Sequence, residues 1–409
     1  MVAYAASHAP FYRRHWAGYD LRHWRALPLV DKQQMMAHFD TFNTRGIRGD
    51  QALAVALQAE QSRDFRPLIG GYTVGLSSGT SGHRGLFLLS AAEQAAWAGT
   101  ILARTIHRLR GPLRVAFFLR SNSNLYEQVG SAALQFRYLD LMTPLPESIA
   151  ILNRMAPHIV VGPPSLLGML AAAQEQGRLC IRPQRLISVA EVLEPQDRAR
   201  LQTVFHAPVH QIYQCTEGLL AVSCRAGSLH IQEDIVALQL QPIVADEGVT
   251  SASESQRLTP IVTDLWRRTQ PMIRYRLNDV LQLDHQPCAC GSDWRVIRAI
   301  EGRSDDVCWF EGCDGQRRAF FPDTIRRMLL LASPSILDYL AVQERDEHLR
   351  VHLLIGETAS FDDVREAVRR SIETTVAAYG CKSPQVDFED HLPALPAGTK
   401  RRRVLRIYT

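Results

Sequence analysis

The sequence carries little net charge and has no long apolar run. Its 46 basic and 42 acidic residues leave a formal charge of +4 over 409 residues. This argues against a dedicated nucleic-acid-binding protein, which needs a strongly basic surface. No apolar stretch reaches the roughly 18 residues that a membrane-spanning helix needs. We therefore expect a protein that binds neither nucleic acid nor membrane.

Cysteine is also scarce. Eight cysteines in 409 residues do not suggest the disulfide scaffold that is typical of small secreted domains. The N-terminal stretch contains His8, Arg13, Arg14 and His15, without the apolar segment of a signal peptide. Together these features favour a cytoplasmic protein with reduced thiols.

Three common signatures are missing: the Walker A loop, the dinucleotide-binding fingerprint and the nucleophile elbow of serine hydrolases. What is present is a stretch rich in glycine and hydroxyl groups at residues 76–87. The backbone amides of such a loop can converge on phosphate oxygens, and Arg84 can add positive charge. Taken alone, the stretch fits a flexible surface turn as well as a nucleotide site. The candidate phosphate ligands are Ser77, Ser78, Gly79, Thr80, Ser81 and Gly82.

Four further stretches follow this loop, at residues 213–218, 274–279, 302–306 and 398–404. They read Tyr-Gln-Cys-Thr-Glu-Gly, Arg-Tyr-Arg-Leu-Asn-Asp, Gly-Arg-Ser-Asp-Asp and Gly-Thr-Lys-Arg-Arg-Arg-Val. In type and order the five stretches resemble the motifs of the adenylate-forming enzymes, the acyl- and aryl-CoA ligase superfamily. The most similar subgroups are the phenylacetate–CoA ligases and the synthetases that adenylylate a deazaflavin coenzyme. Their N-terminus also resembles residues 9–13 and 27–32.

The resemblance implies an α/β fold with two domains. The larger, at residues 1–302, would contain mainly parallel sheets flanked by helices, and the smaller, at residues 303–409, would be a mobile α+β unit. The residue pattern agrees, because short apolar strands alternate with helices and indicate βαβ units. The predicted strands are 114–119, 159–161, 186–189, 209–213, 337–343, 349–355 and 386–388, and the predicted helices include 91–109 and 361–378.

The resemblance also implies an ATP-dependent ligase. It would adenylate a carboxylic acid, with an aromatic acid favoured, and pass the acyl group to a thiol such as coenzyme A or a carrier protein. Glu217 would hold Mg²⁺, Thr216 would lie beside the phosphates, and Tyr213 would stack on adenine. The backbone of Ala190 and Glu191 would contact the base. Locally, Glu217 and Thr216 also fit an ordinary polar pair, and Tyr213 a core tyrosine.

Asp279 is the implied ribose ligand, since one carboxylate can accept hydrogen bonds from both ribose hydroxyls. Arg303 would donate to ribose or phosphate, unless it forms a surface ion pair with its acidic neighbours. Asp305 aligns with the hinge about which the small domain would rotate. Lys400 would be the catalytic lysine, although residues 400–403 also fit a simple basic tail.

Two positions depart from the family pattern. His83 and Arg84 replace Lys-Pro in the phosphate loop, so Arg84 is expected to hold pyrophosphate. Leu277 and Asn278 replace Thr-Gly before Asp279. These departures keep open a catalytically degenerate scaffold or sensor. The resemblance to the deazaflavin synthetases keeps open a second alternative, an enzyme that places AMP on a phenolic hydroxyl. We also leave open a homodimer.

A second constellation is typical of a metal site. Cys224 and His230 follow the Tyr-to-Glu motif, and Cys288 and Cys290 lie between Asp279 and Arg303. Three thiolates and one imidazole suit a structural Zn²⁺. The Cys-x-Cys spacing is atypical of zinc fingers, so four unrelated side chains remain the alternative. Cys308 and Cys313 form a competing pair, which we expect to bind no metal.

Overall fold

The computed structural model describes residues 1–64, 66–77, 84–106, 112–119, 134–243, 256–394 and 401–408. The helices are α1 (Val2–His8), α2 (Pro10–His15), α3 (Lys32–Ala37), α4 (Phe39–Phe42), α5 (Gly49–Ser62), α6 (Ala91–Thr105), α7 (Leu145–Met155), α8 (Pro164–Glu175), α9 (Pro195–Phe205), α10 (Pro322–Leu330) and α11 (Phe361–Ala378). Short 3-10 helices lie at Leu21–Ala26 and Ser304–Asp306. No described helix is long and apolar enough to cross a lipid bilayer.

The strands of the N-terminal part are β1 (Leu68–Ile69), β2 (Tyr72–Leu76), β3 (Leu86–Leu89), β4 (Leu113–Leu119), β5 (Leu134–Asp140), β6 (Ile159–Gly162), β7 (Arg185–Val189), β8 (Val209–Cys215), β9 (Gly218–Ser223), β10 (Leu229–Ile231), β11 (Val236–Pro242), β12 (Leu258–Asp264), β13 (Tyr275–Arg276), β14 (Asp279–Asp284) and β15 (Val296–Arg303). The C-terminal strands are β16 (Cys308–Glu311), β17 (Arg317–Phe320), β18 (Ile336–Arg345), β19 (His348–Ile355), β20 (Gln385–Glu389) and β21 (Val404–Arg406).

One large sheet forms the backbone of the N-terminal part. Among the described strands its order is β11-β12-β14-β15-β10-β9-β8-β7-β6-β4-β5, with β13 attached to β12. Strands β5, β4, β6, β7 and β8 pair in parallel. Their apolar side chains are buried on both faces, which is the pattern that parallel strands need. One face packs against α7, α8 and α9, and the other against α6.

The second half of the same sheet, from β8 to β11, is antiparallel. The N-terminal helices α1 and α2 pack against it through a core that includes Phe11, Tyr12 and Phe42. A separate antiparallel sheet, β1-β2-β3, packs against α5. Its β2–β3 connection contains the candidate phosphate loop.

The C-terminal part has its own sheet and core. Strands β20-β19-β18-β21 form a four-stranded sheet, and α10 and α11 pack against it. The large side chains of Phe310, Phe320 and Tyr339 are fully buried there. A small cluster of Val280, Val307 and Phe321 joins this part to the large sheet.

The α/β class is therefore confirmed, with one refinement. Within the described large sheet, only the strands from β5 to β8 pair in parallel. The expectation of a mainly parallel sheet was based on the predicted strands of the N-terminal part, which all lie before residue 215. The predicted elements at 114–119, 159–161, 186–189, 209–213, 337–343, 349–355, 361–378 and 386–388 all occur. The helix predicted at 91–109 spans Ala91–Thr105, and Ser90 and Glu93 form its capping box.

Candidate active site

A cavity of about 1950 Å³ lies where the large sheet, the β2–β3 hairpin and the C-terminal part meet. It opens beyond the carboxyl ends of β7 and β8, where ligands bind in parallel α/β sheets. The predicted site residues that line it are Ser77, Arg84, Ala190, Glu191, Thr216, Glu217, Asp279, Arg303 and Asp305. Residues from four motifs that are far apart in sequence thus share one cavity.

Six predicted site residues fall outside the described residues: Ser78, Gly79, Thr80, Ser81, Gly82 and Lys400. Their predicted roles stay predictions.

Ser77 and Gly85 close the base of the phosphate loop. The Ser77 amide donates to the Gly85 carbonyl at 2.7 Å, and the Gly85 amide donates to the Ser77 hydroxyl at 2.7 Å. Buried Gln270 holds strand β3 in place. Its Oε1 accepts a hydrogen bond from the Leu88 amide at 2.8 Å, and its Nε2 donates to the Leu86 carbonyl at 3.3 Å. Strand β3 is therefore tied to the segment that precedes the 274–279 motif.

Arg84 points toward Glu60 of α5. Its Nη1 donates to Glu60 Oε2 at 2.7 Å, its Nη2 pairs with the other carboxylate oxygen, and its Nε donates to the Ser77 carbonyl at 3.1 Å. A guanidinium held by two carboxylate oxygens has few donors left for pyrophosphate.

Glu217 lies on a buried floor of the cavity. The Thr216 hydroxyl donates to Glu217 Oε2 at 2.9 Å, and Glu217 is only 9% exposed. Burial raises the pKa of Cys215 and of Tyr275 far above their ordinary values, and the Glu217 charge adds to both shifts. Because water screens the charge of the buried Glu217 carboxylate poorly, this part of the cavity attracts a cation.

Asp279 begins β14 and lies directly across from Arg303 of β15 in the sheet register. The Tyr213 hydroxyl donates to Asp279 Oδ2 at 2.5 Å, and Arg303 Nε lies 3.9 Å from Asp279 Oδ1. Tyr213 itself is buried and is not among the residues that line the cavity. The structure thus places Tyr213 beneath Asp279, and its predicted stacking on adenine stays a prediction.

Ala190 has a positive φ of 69°, which is uncommon for a residue with a Cβ atom. This turn carries Glu191 to the cavity edge. There Glu191 accepts hydrogen bonds from the Ser165 amide and hydroxyl, both at 3.1 Å, and from the Arg401 amide at 3.2 Å. The Glu191 side chain therefore joins the start of α8 to the C-terminal segment.

Asp305 lies in the short 3-10 helix between the two parts of the chain. The Asn278 side chain donates to Asp305 Oδ2 at 2.5 Å, and the Ser304 amide donates to the Asn278 carbonyl at 2.7 Å. Asn278, one of the two departures from the family pattern, is thus bonded to the predicted hinge.

Sequence reasoning missed Lys32, which also lines the cavity. It is half-buried, it has no ion-pair or hydrogen-bond partner within the described residues, and burial lowers its pKa. The charges of Glu217, Arg303, Arg84 and Asp305 all act on it. Residues 27–32 were part of the family resemblance. A single lysine in an N-terminal stretch does not by itself indicate a binding site.

The four predicted metal ligands converge. The ligand atoms of Cys224, His230, Cys288 and Cys290 all lie within 4.8 Å of one another. Cys224 Sγ is 3.7 Å from Cys288 Sγ, and Cys290 Sγ is 3.4 Å from His230 Nε2. Ligands at about 2.3 Å on the corners of a tetrahedron lie about 3.8 Å apart. The spacing therefore suits one Zn²⁺.

The surroundings of this cluster suit a metal as well. His230 Nδ1 lies 2.8 Å from the Trp294 carbonyl oxygen, which orients Nε2 toward the thiols. Hydrogen bonds from the Ser228 hydroxyl and the Cys290 amide lower the pKa of Cys288 to about 6, and the His230 ring adds to this shift. A thiol of low pKa readily supplies the thiolate that metals bind.

Comparisons with known proteins support the fold. A phenylacetate–coenzyme A ligase of Thermus thermophilus is 24% identical over 403 residues, which is 90% of this chain and 84% of the relative. A benzoate CoA ligase of Burkholderia xenovorans superimposes with a TM-score of 0.52 at 15% identity, over 80% of this chain and 66% of the other. A scan against protein-family models finds no match.

A 2-hydroxyisobutyryl-CoA ligase is similar over nearly the whole chain. In its postadenylation state with 2-HIB-AMP the TM-score is 0.72 at 18% identity, over 99% of this chain and 87% of that one. In its thioesterification state the TM-score falls to 0.56 over the same shares. The fold is thus that of the adenylate-forming enzymes, as the motifs predicted, and the arrangement of its parts is nearer to the postadenylation state.

Proposed function

We propose that this chain, which has the fold of the adenylate-forming enzymes, is an acid–thiol ligase. It would join a carboxylic acid to AMP and then pass the acyl group to coenzyme A. The observation that carries the proposal is the shared cavity, in which the base of the phosphate loop, Thr216, Glu217, Asp279 and Arg303 meet. The relatives that are similar along most of the chain are named as CoA ligases.

In the first step a carboxylate oxygen of the acid bonds to the α-phosphorus of ATP, and the bond to the bridging oxygen of pyrophosphate breaks. This chemistry needs positioning and positive charge around phosphorus. Lys32 and Arg303 face the cavity and would supply that charge, whereas Arg84 would first have to leave Glu60. Glu217 would hold the Mg²⁺ that offsets phosphate charge.

In the second step the thiol loses its proton to solvent, its sulfur bonds to the acyl carbon, and AMP leaves with the electron pair of the acyl–oxygen bond. Asp279 would retain the ribose through both steps, since it lies on a strand of the large sheet and not on the C-terminal part.

The family resemblance favours an aromatic acid, and a small second cavity offers an apolar space beside the main one. About 50 Å³ of space lies between α6 and the sheet, lined almost entirely by aliphatic and aromatic side chains. Trp97 and Gln214 border both this space and the main cavity. An apolar acyl group that enters past Trp97 would be removed from water there.

ATP–pyrophosphate exchange with a library of carboxylic acids tests the proposal. We expect exchange with arylacetic, benzoic or branched aliphatic acids and a loss of about 100-fold or more in Glu217→Gln. Mass spectrometry of the product with coenzyme A should then show a thioester. An AMP ester of a phenol would identify the alternative synthetase, and no exchange with any acid would favour the scaffold.

We also propose that Cys224, His230, Cys288 and Cys290 hold a structural Zn²⁺ that ties β10 to the β14–β15 loop. All eight cysteines are free of disulfides, which suits a reducing cytoplasm. Protein purified without added metal should contain about one zinc per chain. Cys288→Ser should lower both zinc content and melting temperature. Cys313→Ser, at an exposed cysteine outside the cluster, is the matched control.

A further inference from the structure

Two buried side-chain amides lie beside the space proposed for the acyl group, and the proposed chemistry uses neither of them. Gln94 belongs to α6 and Gln214 to β8, and both residues line the main cavity. Gln94 Nε2 and Gln214 Oε1 are shielded from water, and neither atom has a hydrogen-bond partner within the described residues. An unpaired buried polar atom lowers the stability of the folded state, unless a bound ligand supplies the missing partner.

Gln94 occupies the buried face of α6, where an apolar side chain is expected. The buried residues of this helix are Gln94, Ala98 and Thr105, which recur at the spacing of one helix face. The Thr105 hydroxyl is satisfied, because it donates to the Ile101 carbonyl at 2.7 Å. Gln94 is only 8% exposed, and its amide nitrogen finds no such acceptor in the part of the chain that the structure describes. Trp97 lies beside it, since residues three apart on a helix are neighbours.

Gln214 lies on the face of β8 that is turned toward α6. Ile212, two residues earlier, lines the small apolar space between α6 and the sheet, and Gln214 lines it too. Gln214 and Trp97 also border the main cavity. The Gln214 amide therefore lies where the apolar space joins the main cavity, and Trp97 links it to Gln94 along the cavity wall.

The chemistry of the two amides limits which group can satisfy them. Gln94 Nε2 is a donor and needs an acceptor, whereas Gln214 Oε1 is an acceptor and needs a donor. A hydroxyl group offers both, because its oxygen accepts while its hydrogen is donated. A carboxylate only accepts and an ammonium group only donates, so neither can satisfy both amides. The partner that fits best is a hydroxyl on an otherwise apolar ligand.

We propose that the acid substrate of this chain carries a hydroxyl group on its apolar body, and that Gln94 and Gln214 bind that hydroxyl. The hydroxyl donates to Gln214 Oε1 and accepts from Gln94 Nε2, while the apolar body packs against Trp97. The substrate carboxylate cannot replace it, since a carboxylate has no hydrogen to donate and must reach the α-phosphorus of ATP. The two glutamines are thus specificity residues, and this role rests on the proposed function.

Matched acids test the proposal. Phenylacetic acid and benzoic acid are each compared with their 2-, 3- and 4-hydroxy derivatives in ATP–pyrophosphate exchange. In the series that is exchanged, at least one hydroxy acid should have a kcat/KM about 10-fold or more above that of the unsubstituted acid, because the unsubstituted acid leaves the two amides unpaired. A kcat/KM for the unsubstituted acid that equals or exceeds that of every hydroxy derivative would overturn the proposal.

Substitution of the glutamines shows whether they cause the preference. Gln94→Leu and Gln214→Leu keep a side chain of similar size without hydrogen-bonding groups, so each should bring the ratio of the two kcat/KM values close to one. The control is Gln196→Leu on α9. Gln196 also has a buried amide nitrogen without a partner within the described residues, but it does not line the cavity. It should keep the wild-type ratio, and a wild-type ratio in both cavity variants would refute the assignment.

Binding can also be measured without catalysis. In isothermal titration calorimetry without ATP, the preferred hydroxy acid should bind with a Kd about 10-fold below that of its unsubstituted parent, and Gln214→Leu should abolish the difference. If the wild type exchanges pyrophosphate with no acid, the ligase activity fails while this difference in Kd still decides the hydroxyl site. Equal Kd values together with equal exchange would refute the hydroxyl site and leave the ligase activity standing. Neither binding nor exchange of any acid would refute both.

Discussion

At the residue scale, the cations of the cavity differ from those that the family pattern led us to expect. The loop lysine of the pattern is missing, and its expected substitute, Arg84, is paired with Glu60. Lys32 offers an ammonium group that is unpaired within the described residues and lies close to Glu217 and Arg303. An ammonium on a flexible stem can follow a phosphate as charge develops on it. Lys32 is therefore the cation that we expect to contact ATP.

Lys32→Met should reduce pyrophosphate exchange by about 100-fold, the loss that follows removal of one charge contact in a transition state. Methionine keeps an unbranched stem of similar length, so the fold should persist. The neighbouring Gln33 also lines the cavity, and Gln33→Met is the control because it introduces the same side chain without removing a charge. Exchange at the wild-type rate in Lys32→Met would show that another cation serves the phosphates.

The same substitution should raise stability while it lowers activity. Burial lowers the pKa of Lys32 below its ordinary value of about 10.4, so the folded state holds this proton less tightly than the unfolded state does. Below the folded pKa the full destabilisation is present. It is lost as pH rises from the folded pKa to the unfolded one. Thermal unfolding measured from about pH 7 to about pH 10.5 should give Lys32→Met a higher melting temperature than the wild type. The difference in melting temperature should shrink at alkaline pH.

Tyr213 and Asp279 form a hydrogen-bonded pair, and the role of each partner can be tested by its own substitution. The hydroxyl of Tyr213 occupies one lone pair of the Asp279 carboxylate at 2.5 Å. Tyr213→Phe keeps the ring and removes that bond, so it should raise the KM for ATP only about threefold to tenfold, the range that one lost hydrogen bond near a charge gives. Asp279→Asn should raise it further. A wild-type KM for ATP in Tyr213→Phe would mean that this hydrogen bond does not orient Asp279 toward the ribose.

At the element scale, the sequence predicted best where a strand or helix is long and regularly apolar. Residues 159–161 and 186–189 are buried on both faces of the sheet, and the helix at 361–378 buries one apolar stripe. In these elements the spacing of apolar residues in the sequence matches the pattern of burial in the structure. In the antiparallel half of the large sheet, strands such as Leu229–Ile231 and Tyr275–Arg276 were not predicted, because they are too short to show a period.

The site was predictable for a different reason. Ala190 and Thr216 directly follow the parallel strands β7 and β8, whose carboxyl ends lie at the same edge of the sheet. Asp279 begins β14 in the antiparallel half, so only its motif, and not parallel topology, indicated its place in the site. Lys32 could not be predicted in this way, since it comes from α3 and reaches the cavity only through the packing of the N-terminal helices.

The junction element gives a test of the departure at Asn278. Its side chain and carbonyl both bond the 304–305 turn, so they hold the predicted hinge in one conformation. Asn278→Ala removes one hydrogen bond, about 1 kcal/mol. If the rearrangement limits the second half-reaction, thioester formation in stopped-flow experiments should become up to about fivefold faster, with pyrophosphate exchange unchanged. A slower second half-reaction would mean that the bond serves the thioester conformation instead.

At the scale of the whole molecule, the chain contains separate hydrophobic cores on either side of the 302–306 junction. The C-terminal core runs from Cys308 to Val404, and within the described part of the chain it includes no residue of the large sheet. The two sides meet through the small cluster at Val280, through the ion pairs of Arg326 and Arg403, and around the cavity. Contacts of this limited kind favour partly independent unfolding of the two parts.

Calorimetry of the ligand-free protein should therefore resolve two transitions. An acyl-sulfamoyl adenosine, which mimics the adenylate without reacting, would contact Asp279 on one side of the cavity and the segment at Arg401 on the other. Ligand at about 100 times its Kd stabilises the state that it binds by about 2.7 kcal/mol. The ligand should thus raise the midpoint temperatures of both transitions and bring the two temperatures closer together. AMP alone should raise mainly the midpoint temperature of the N-terminal transition. A single transition without ligand would show that the two cores unfold as one unit, and two transitions still separate at saturation would mean that the ligand contacts only one part.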